Sequence, residues 1–347
     1  MLRALLCGYY GKGNGGDEAL LATLLQMLPA SVQPWVLSGD PEKTAEQYGV
    51  EAYDRMAPLT VLKALRQSDA LIWGGGSLMQ DVTSATSPLY YGGLMATAQR
   101  LGLKTIAWAQ GVGPLQRPLT RWLARQTFAG CQAVSVRDQA SANLMSQWQI
   151  SHRLAPDPVW ALTASPYQPT TSSSAPRVVV ALRPHPELTP ARLETLILAL
   201  KQFQDVTQTS IELVPFQPSR DQAIAALIHA QLPKTSHIVT VENPQTLKGV
   251  FKGVQFTIAM RYHGLIMAAA EGSRCFALSY DPKVSQLMQT LSLPGWELVD
   301  TPDDPGLICQ EWINSYTKFD PLSTEHCQSL VQQALVHRDL LHQVLGA

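Results

Sequence analysis

At 347 residues the chain is too long for one hydrophobic core of ordinary size, and its length favours two domains of about 150 residues. A composition of 46% hydrophobic and 15% charged residues excludes disorder as the main state of the chain. The net charge of −1, without a sustained basic run, argues against a nucleic-acid partner. The five cysteines are scattered and never in CxxC spacing, which favours buried thiols over a zinc site or a disulfide framework.

The first half repeats a short apolar strand, a turn marked by glycine or charge, and a helix. Strands are predicted at 2–7, 34–39, 69–73, 104–109 and 133–136. Helices are predicted near 17–28, 59–67, 88–101, 118–129 and 138–148. Because strands alternate with helices, the pattern predicts right-handed βαβ units and a doubly wound parallel sheet.

The same alternation restarts after a segment rich in Pro, Ser and Thr, with strands at 177–182, 210–215, 237–241, 254–260 and 275–280. The predicted domain boundaries are an N-terminal domain at 1–165, a linker at 166–176, a C-terminal domain at 177–322 and a C-terminal helix within 323–347. The predicted fold class is therefore α/β, with two Rossmann-like doubly wound domains facing a cleft, as in GT-B-like enzymes. Ligands of such sheets bind beyond the carboxyl ends of the strands.

The chain begins directly in a predicted strand without a signal peptide, and no apolar stretch reaches 18 residues. We therefore expect a cytoplasmic protein without a transmembrane segment. Contact with a membrane surface through the substrate is still compatible with the sequence.

The most distinctive segment is the glycine loop, Gly8–Gly16, between the first strand and the first helix. Its Gly11-x-Gly13-x-x-Gly16 spacing matches a dinucleotide-binding loop, with Asp40 near the expected distance, but a P-loop would need Ser or Thr after a Lys. Asp17 and Glu18 at the helix N-terminus would repel a pyrophosphate and suit a hydroxyl-bearing ligand better. The alternative is that Asp17 only caps a structural turn.

Other polar residues follow strands in both halves. The residues after strands of the first half are Gly74-Gly75-Gly76-Ser77, Asp81, Gln110 and Arg137. Together with the glycine loop they are rich in glycine and carboxylate, which suits hydroxyl recognition. The second half supplies most of the cations, which suits an anion, at Arg183, His185, Arg261, His263 and Lys283.

The Arg261-Tyr262-His263-Gly264 segment gives the sharpest signal, because it joins an apolar strand to an apolar helix. A guanidinium, an imidazole and helix N–H groups together can hold phosphate or carboxylate. Lys283 lies in a predicted first helical turn, where a bound anion would offset its repulsion by the helix dipole. Each of these cations could instead be solvated or paired within the protein. No metal-binding cluster and no GxSxG elbow around Ser77 is present in the sequence.

Taken in order, these segments resemble the polysaccharide pyruvyl transferase family, specifically its CsaB type. The resemblance runs from residue 8 to residue 284 and rests on Gly8-Tyr-Tyr-Gly11, Gly16-Asp-Glu-Ala-Leu20, Trp73-Gly-Gly-Gly-Ser-Leu78-Met-Gln-Asp81, Ser84, Tyr90-Tyr91, Ala109-Gln-Gly-Val-Gly-Pro114, Ser135-Val-Arg-Asp138, Arg261-Tyr-His-Gly-Leu265 and Tyr280-Asp-Pro-Lys283. It implies transfer of a pyruvyl group from phosphoenolpyruvate to a sugar, giving a 4,6-ketal. The implied acceptor is N-acetylmannosamine of a cell-wall polysaccharide precursor, either free or lipid-linked.

The resemblance and the residue chemistry together assign expected roles. The phosphoenolpyruvate ligands would be Arg261, His263, Lys283, Arg137 and Arg183. The acceptor ligands would be Gly15, Gly16, Asp17, Gly75, Gly76, Ser77 and Gln110. The catalytic acid or base groups would be His263, Asp17 and Asp81, without a metal or a cofactor other than phosphoenolpyruvate as co-substrate. The alternatives are a nucleotide-sugar glycosyltransferase of the GT-B class and a non-catalytic dinucleotide-binding protein.

Overall fold

The computed structural model describes residues 1–82, 86–169 and 175–346. The chain divides into two compact units, Met1–Leu162 with Ser329–Ala347, and Thr163–Gln328. The first unit is therefore discontinuous in sequence. Ser84 and residues 170–174 of the predicted linker lie outside the described residues.

The first unit is built on one parallel sheet. Its strands are β1 (Leu2–Cys7), β2 (Val32–Ser38), β3 (Glu51–Asp54), β4 (Ala70–Trp73), β5 (Gly76–Met79), β6 (Lys104–Val112), β7 (Ala133–Val136) and β8 (Arg153–Leu154). The strand order is β3-β2-β1-β4-β6-β7-β8, and β5 pairs with β6 beside this path. The chain winds outward from β1 to β3 and then resumes at β4 on the other side of β1. The topological switch point, where the winding direction changes, thus lies between β1 and β4.

Helices cover both faces of this sheet. They are α1 (Gly15–Met27), α2 (Pro41–Tyr48), α3 (Pro58–Arg66), α4 (Thr86–Arg100), α5 (Pro118–Ala129) and α6 (Gln139–Gln147). One core cluster contains buried residues of α3 to α6, including Leu65, Met95 and Phe128. A separate cluster contains buried residues of α1, including Leu21 and Leu24. The doubly wound arrangement follows from these two clusters on a single sheet.

The second unit has a six-stranded parallel sheet. Its strands are β9 (Arg177–Ala181), β10 (Ser210–Leu213), β11 (Ser236–Ile238), β12 (Val254–Ala259), β13 (Arg274–Ser279) and β14 (Gly295–Glu297). Their order, β11-β10-β9-β12-β13-β14, is the Rossmann order, and it places the switch point between β9 and β12. The predicted fold class, α/β with two Rossmann-like parallel sheets, is confirmed.

The remaining helices are α7 (Pro190–Thr207), α8 (Pro218–Gln231), α9 (Pro244–Val250), α10 (Tyr262–Ala270), α11 (Pro282–Leu291), α12 (Pro305–Lys318), α13 (Thr324–Ala334) and α14 (Val336–Leu345). The sequence pattern predicts one helix at 323–345, whereas the structure has α13 and α14, which separate at Leu335. There the Leu335 N–H is shared between the carbonyls of Val331 and Gln332, both at 3.2 Å, which tightens the last turn of α13. Helix α14 belongs to the first unit and buries Leu340, Leu341 and Leu345 in the cluster that also holds α1.

The sequence pattern does not indicate several elements, most of which are short. These are α2, β3, β5, β8, β14 and α12. Strand β3 is half-exposed and β5 begins with a glycine, so neither has a clear apolar run. Among the described residues, no helix is both long and apolar enough to span a bilayer. The cytoplasmic location stays a prediction.

Candidate functional site

The topological switch point of each unit carries several of the residues that the sequence singles out. In the first unit the glycine loop follows β1 and a second glycine segment, Gly74–Ser77, follows β4. In the second unit Arg183 follows β9, and Arg261 with His263 follows β12. Parallel sheets bind ligands at these positions because the loops after the two strands diverge and leave a crevice. Each unit therefore has one candidate site at the carboxyl edge of its sheet.

The glycine loop folds back tightly before helix α1. Gly11 has a left-handed φ of 67°, and a Cβ added to it would lie 2.0 Å from Ser38 Oγ, so only glycine fits there. The N-cap of α1 is Asn14, whose Oδ1 accepts the Gly16 N–H at 3.2 Å. Asp17 is therefore in the first turn, and its Oδ2 accepts a hydrogen bond from Asn14 Nδ2 at 2.5 Å. Asn14, and not Asp17, is therefore the residue that caps α1, so the alternative that Asp17 only caps a turn does not hold.

The carboxylate of Glu18 turns into the loop and closes it. Glu18 is 7% exposed, and its Oε1 accepts the N–H groups of Gly11 at 2.9 Å and Lys12 at 3.3 Å. Burial, together with repulsion from Asp17, raises the pKa of Glu18 to about 7, although the loop N–H groups counteract this rise.

This arrangement disfavours the dinucleotide-binding alternative. The loop N–H groups that would bind a pyrophosphate already donate hydrogen bonds to the carboxylate of Glu18. Asp40, which would bind a ribose hydroxyl in that alternative, instead caps α2 by accepting the Lys43 N–H at 3.2 Å.

The second glycine segment lies against the first loop. A Cβ on Gly74 would lie 1.8 Å from the Tyr10 hydroxyl oxygen, and one on Gly8 would lie 2.4 Å from the Tyr10 ring. The buried Tyr10 ring therefore packs between the two glycine backbones. Gly76, with φ 136°, would place a Cβ 3.8 Å from Asp17 Oδ1. The carboxylate of Asp17 thus borders both segments, and Gly15, Gly16, Gly75 and Gly76 lie in or beside them.

Gln110 and Ser77 are held in this framework by buried contacts. Gln110 is fully buried, and its Nε2 approaches the carbonyls of Trp73 and Gly74 at 2.9 Å and of Trp108 at 3.1 Å. Gln110 therefore fixes the second glycine segment to β6. Ser77 Oγ accepts a hydrogen bond from Arg137 Nη2 at 2.9 Å.

Arg137 itself forms an ion pair within the first unit. Its Nη1 lies 2.6 Å from Asp157 Oδ2, and both side chains are almost completely buried. The charge that the sequence assigns to the donor is thus balanced by a carboxylate of the same unit. The contacts favour a positioning role for Arg137, towards Ser77, over direct binding of phosphoenolpyruvate.

Asp81 caps a helix. Its Oδ1 accepts the Gln116 N–H, and its Oδ2 accepts the Arg117 N–H, each at 2.8 Å, at the start of α5; Thr120 Oγ1 donates to Oδ2 at 2.5 Å. Burial alone would raise the pKa of Asp81, but these donors outweigh it and lower the pKa below its usual range. A carboxylate so saturated is a poor proton acceptor. We therefore leave Asp81 out of the proposed catalytic set, contrary to the sequence-based expectation.

In the second unit, the guanidinium of Arg261 is oriented by a carboxylate that the sequence does not indicate. Arg261 Nε donates a hydrogen bond to Asp221 Oδ2 at 3.1 Å, and Nη2 donates to Oδ1 at 2.5 Å and to Oδ2 at 2.7 Å. Both residues are buried. Asp221 also accepts the Gln217 N–H at 2.9 Å. The pair is formally neutral, so Arg261 can offer directed N–H donors more than net charge to a ligand.

The other cations lie along the same edge of this sheet. His263 is half-buried in the first turn of α10, which begins at Tyr262, earlier than the sequence pattern predicts. Arg183 Nη1 donates to the Tyr280 hydroxyl at 2.8 Å, and Lys283 Nζ lies 3.3 Å from Asp281 Oδ2. Asp281 is the N-cap of α11, so Lys283 lies in the first turn of this helix, as predicted. Since β9, β12 and β13 are neighbours, the sheet places Arg183, His263 and Lys283 at the ends of three consecutive strands.

Two further residues of the first unit were missed by sequence reasoning. Arg55 Nη1 donates to the Gly8 carbonyl at 2.9 Å and Nη2 to the Tyr91 hydroxyl at 3.1 Å, and its guanidinium lies 4.9 Å from the Tyr90 ring centroid. It therefore holds the start of the glycine loop. The Tyr90-Tyr91 pair is visible in the sequence, but Arg55 lies too far from it along the chain for the sequence to predict their contact.

The second missed residue, His337 of α14, looks like a surface histidine in the sequence but is completely buried. Its Nε2 bonds to the Pro156 carbonyl at 3.0 Å and its Nδ1 to Ser135 Oγ at 2.9 Å. Because a carbonyl can only accept, Nε2 carries the proton and Nδ1 accepts from Ser135. Burial lowers the pKa of His337 to about 4.

Two cavities are lined by residues other than those at the two switch points. One of about 630 Å³ lies at the start of β7 and β8, at the opposite edge of the first sheet. Another, of about 530 Å³, lies beside Tyr280 and Asp281 and includes Glu187 and Glu297. The carboxylates that line this cavity, Glu187, Asp281 and Glu297, would repel an anionic ligand. The cations after β9 and β12, Arg183 and His263, fit such a ligand better.

Solved structures share the fold with this chain. The UDP-GlcNAc 2-epimerase from Methanocaldococcus jannaschii superposes with a TM-score of 0.64 at 9% identity, over 97% of this chain and 99% of that one. The Neisseria meningitidis UDP-GlcNAc 2-epimerase bound to UDP-GlcNAc gives 0.61 at 9% identity, over 96% and 100%. The calicheamicin glycosyltransferase CalG4 gives 0.58 at 11% identity, over 100% and 98%. At such identities the likeness concerns the fold alone, which is that of GT-B glycosyltransferases and epimerases.

A search of curated protein sequences gives no match. The family model described as polysaccharide pyruvyl transferase matches residues 14–282, which is more than half of the chain and includes residues of both candidate sites. The matched range includes Asp17, the second glycine segment and the Arg261-Tyr262-His263 segment. The chain therefore belongs to the polysaccharide pyruvyl transferase family.

Proposed function

We propose that this protein transfers a pyruvyl group from phosphoenolpyruvate to a saccharide and forms a cyclic 4,6-ketal. The observation that carries the proposal is the set of cations at the carboxyl edge of the second sheet, in a member of this family. Arg183, His263 and Lys283 follow three neighbouring strands, and the Arg261–Asp221 pair lies beside them. Phosphoenolpyruvate carries a carboxylate and a phosphate, and such groups are bound by guanidinium, ammonium and helix N–H donors.

The reaction needs an acid and a base. Protonation of C3 turns the methylene group of the donor into a methyl group, while a sugar hydroxyl adds to C2 and loses its proton. The second hydroxyl then displaces the phosphate, which leaves with the remaining proton. His263 is the residue we assign to proton transfer at C3 or at the departing phosphate, because an imidazole can give and take a proton near neutral pH.

The acceptor half of the proposal rests on the first unit. Two glycine segments give backbone access, and Asp17 lies between them as a carboxylate that can bind sugar hydroxyls or accept a proton. For the acceptor we propose N-acetylmannosamine of a cell-wall polysaccharide precursor, as the resemblance to the CsaB type suggests.

A thermal-shift panel of phosphoenolpyruvate, UDP, UDP-GlcNAc, NAD and NADP tests the proposal. A ligand at about 100 times its Kd adds about 2.7 kcal/mol to the free energy of unfolding, so phosphoenolpyruvate should raise Tm and the others should not. Lys283→Ala should remove most of this shift, whereas Lys201→Ala, an exposed lysine of α7, should leave it unchanged. Stabilisation by UDP or UDP-GlcNAc alone would favour a nucleotide-sugar enzyme, and stabilisation by NAD or NADP alone a dinucleotide-binding protein.

A further inference from the structure

Three helices that share one face of the first unit contain no acidic residue. They are α3, α4 and α5, whose buried residues pack in a single core cluster. Their cations include Lys63, Arg66, Arg100, Arg121 and Arg125. From Val82 to Arg137 the sequence contains neither Asp nor Glu, although the chain has 27 acidic residues and a net charge of −1. Positive charge is therefore concentrated on this side of an otherwise balanced protein.

Helix α5 combines this charge with exposed apolar side chains. Thr120 and Ala124 are buried, while Trp122 is 59% and Leu119 64% exposed. Arg117, Arg121 and Arg125 follow one another at four-residue spacing, and all three are exposed. An arginine row beside an exposed Trp and Leu is typical of helices that lie in the interface of a bilayer.

The apolar surface continues across the neighbouring helices. Helix α4 packs closely on α5, since a Cβ on Gly92 would lie 2.9 Å from Leu123 Cγ. Between α3 and α4 lies an apolar groove of about 390 Å³, which Met56 and Tyr90 help to line. Three large apolar side chains are exposed at or beside the first turns of α3 and α4, namely Met56 (68%), Leu59 (84%) and Leu89 (51%).

We propose that this α3–α5 face binds the surface of an anionic lipid bilayer. The charge favours that occupant, because a bilayer with anionic lipids attracts juxtaposed arginines and accepts Trp and Leu at the level of the headgroups. A second copy of the chain fits less well, since a two-fold contact would bring arginines against arginines. The inference stands on the surface alone and does not depend on the proposed reaction.

The test is sedimentation of the full chain with phosphatidylcholine vesicles, prepared with and without phosphatidylglycerol. We expect binding to the anionic vesicles that weakens as salt rises from about 0.1 M to about 1 M. Reversal of Arg117, Arg121 and Arg125 to Glu should lower the partition coefficient at least about 100-fold, at roughly fivefold for each cation. Trp122→Ser should weaken binding at both salt concentrations.

The matched control reverses three exposed lysines of the second unit, Lys201, Lys234 and Lys252, to Glu, which changes the net charge equally. It should bind the vesicles like the unmodified protein. Equal binding to both vesicle types, unchanged binding of the folded arginine variant, or equal loss in the lysine control would each overturn the proposal. So would light scattering that shows dimers which Trp122→Ser dissociates, because a second copy would then cover this face.

Discussion

At the scale of single residues, charge that looks available in the sequence is partly balanced within the protein. Arg137 is paired with Asp157, and Arg261 with Asp221, in buried contacts. Removing one partner of such a pair costs about 3–5 kcal/mol, because the other charge is left buried. Arg261→Ala would therefore lower stability as well as donor binding, and the two effects could not be separated. Arg183 and Lys283, which are more exposed, are better residues for measuring the contribution of the cations to donor affinity.

The proposed acid is tested by His263→Ala. Since general acid–base groups contribute about 10²–10⁴-fold to the rate, kcat for ketal formation should fall by at least about 100-fold. The measurement is product formation from phosphoenolpyruvate and a synthetic acceptor, with circular dichroism to confirm folding. His326→Ala, at an exposed position in α13, is the matched control and should keep full activity. A folded His263→Ala variant that retains more than a tenth of kcat would remove His263 from the mechanism.

His337 should make the first unit sensitive to acid. Its pKa is lowered to about 4 by burial, so between pH 6.5 and pH 4 the unfolded state binds a proton that the folded state does not. Stability is therefore lost as pH falls through this window, by about 2 kcal/mol between pH 6.5 and pH 5. His337→Gln should remove this loss, as measured by denaturant unfolding at both pH values. An unchanged pH slope in the variant would contradict a neutral buried imidazole.

At the scale of elements, the glycine loop is closed by a residue of the helix that follows it. Glu18 in the first turn of α1 accepts hydrogen bonds from N–H groups of the loop, and Arg55 donates a hydrogen bond to the Gly8 carbonyl. The loop and the start of α1 are thus one rigid piece of structure. Such a loop can present Asp17 to an acceptor without first paying the entropy of its own ordering.

Glu18→Gln tests the cost of this closure. The pKa of Glu18 is raised from 4.5 to about 7, so between these values the unfolded state loses a proton that the folded state keeps. Stability therefore falls as pH rises through this window, by on the order of 3 kcal/mol. The glutamine oxygen can still accept both loop N–H groups, so the variant should gain stability relative to the unmodified protein from pH 5 to pH 8.

Because the effects of Glu18 and His337 have opposite signs in overlapping windows, only differences between each variant and the unmodified protein isolate them. The unfolding free energy of Glu18→Gln at several pH values gives that difference directly. A constant difference from pH 5 to pH 8 would show that Glu18 titrates normally.

At the scale of the whole molecule, the end of the chain completes the first unit. Leu341 of α14 is fully buried in the core cluster that also contains Leu21 and Leu24 of α1. Leu341→Ala should lower the free energy of unfolding of this unit by about 2–5 kcal/mol, through lost burial and the cavity left behind. Leu227→Ala in α8, where the leucine is 55% exposed, is the control and should change stability by less than about 1 kcal/mol. Equal effects of the two changes would mean that α14 does not stabilise the first unit.

Local patterns in the sequence are sufficient to predict much of the fold and the family. The alternation of apolar strands and amphipathic helices predicts the parallel sheets, and the polar residues after the strands predict ligand sites beyond the carboxyl ends of those strands. The order of the short motifs predicts the family. Each of these features is encoded within a few consecutive residues, where strand period, helix caps and glycine conformations act.

Contacts between distant residues were decided only by the tertiary structure. Asp221 reaches Arg261 because β10 and β12 flank β9, and Asp81 reaches the start of α5 because β5 pairs with β6. His337 meets Ser135 because α14 returns to the first unit after the second is complete. Which charges are neutralised, and which histidine is buried, depends on strand order and chain return. Strand order and the return of the chain follow from the packing of the whole chain, and local sequence patterns do not contain this information.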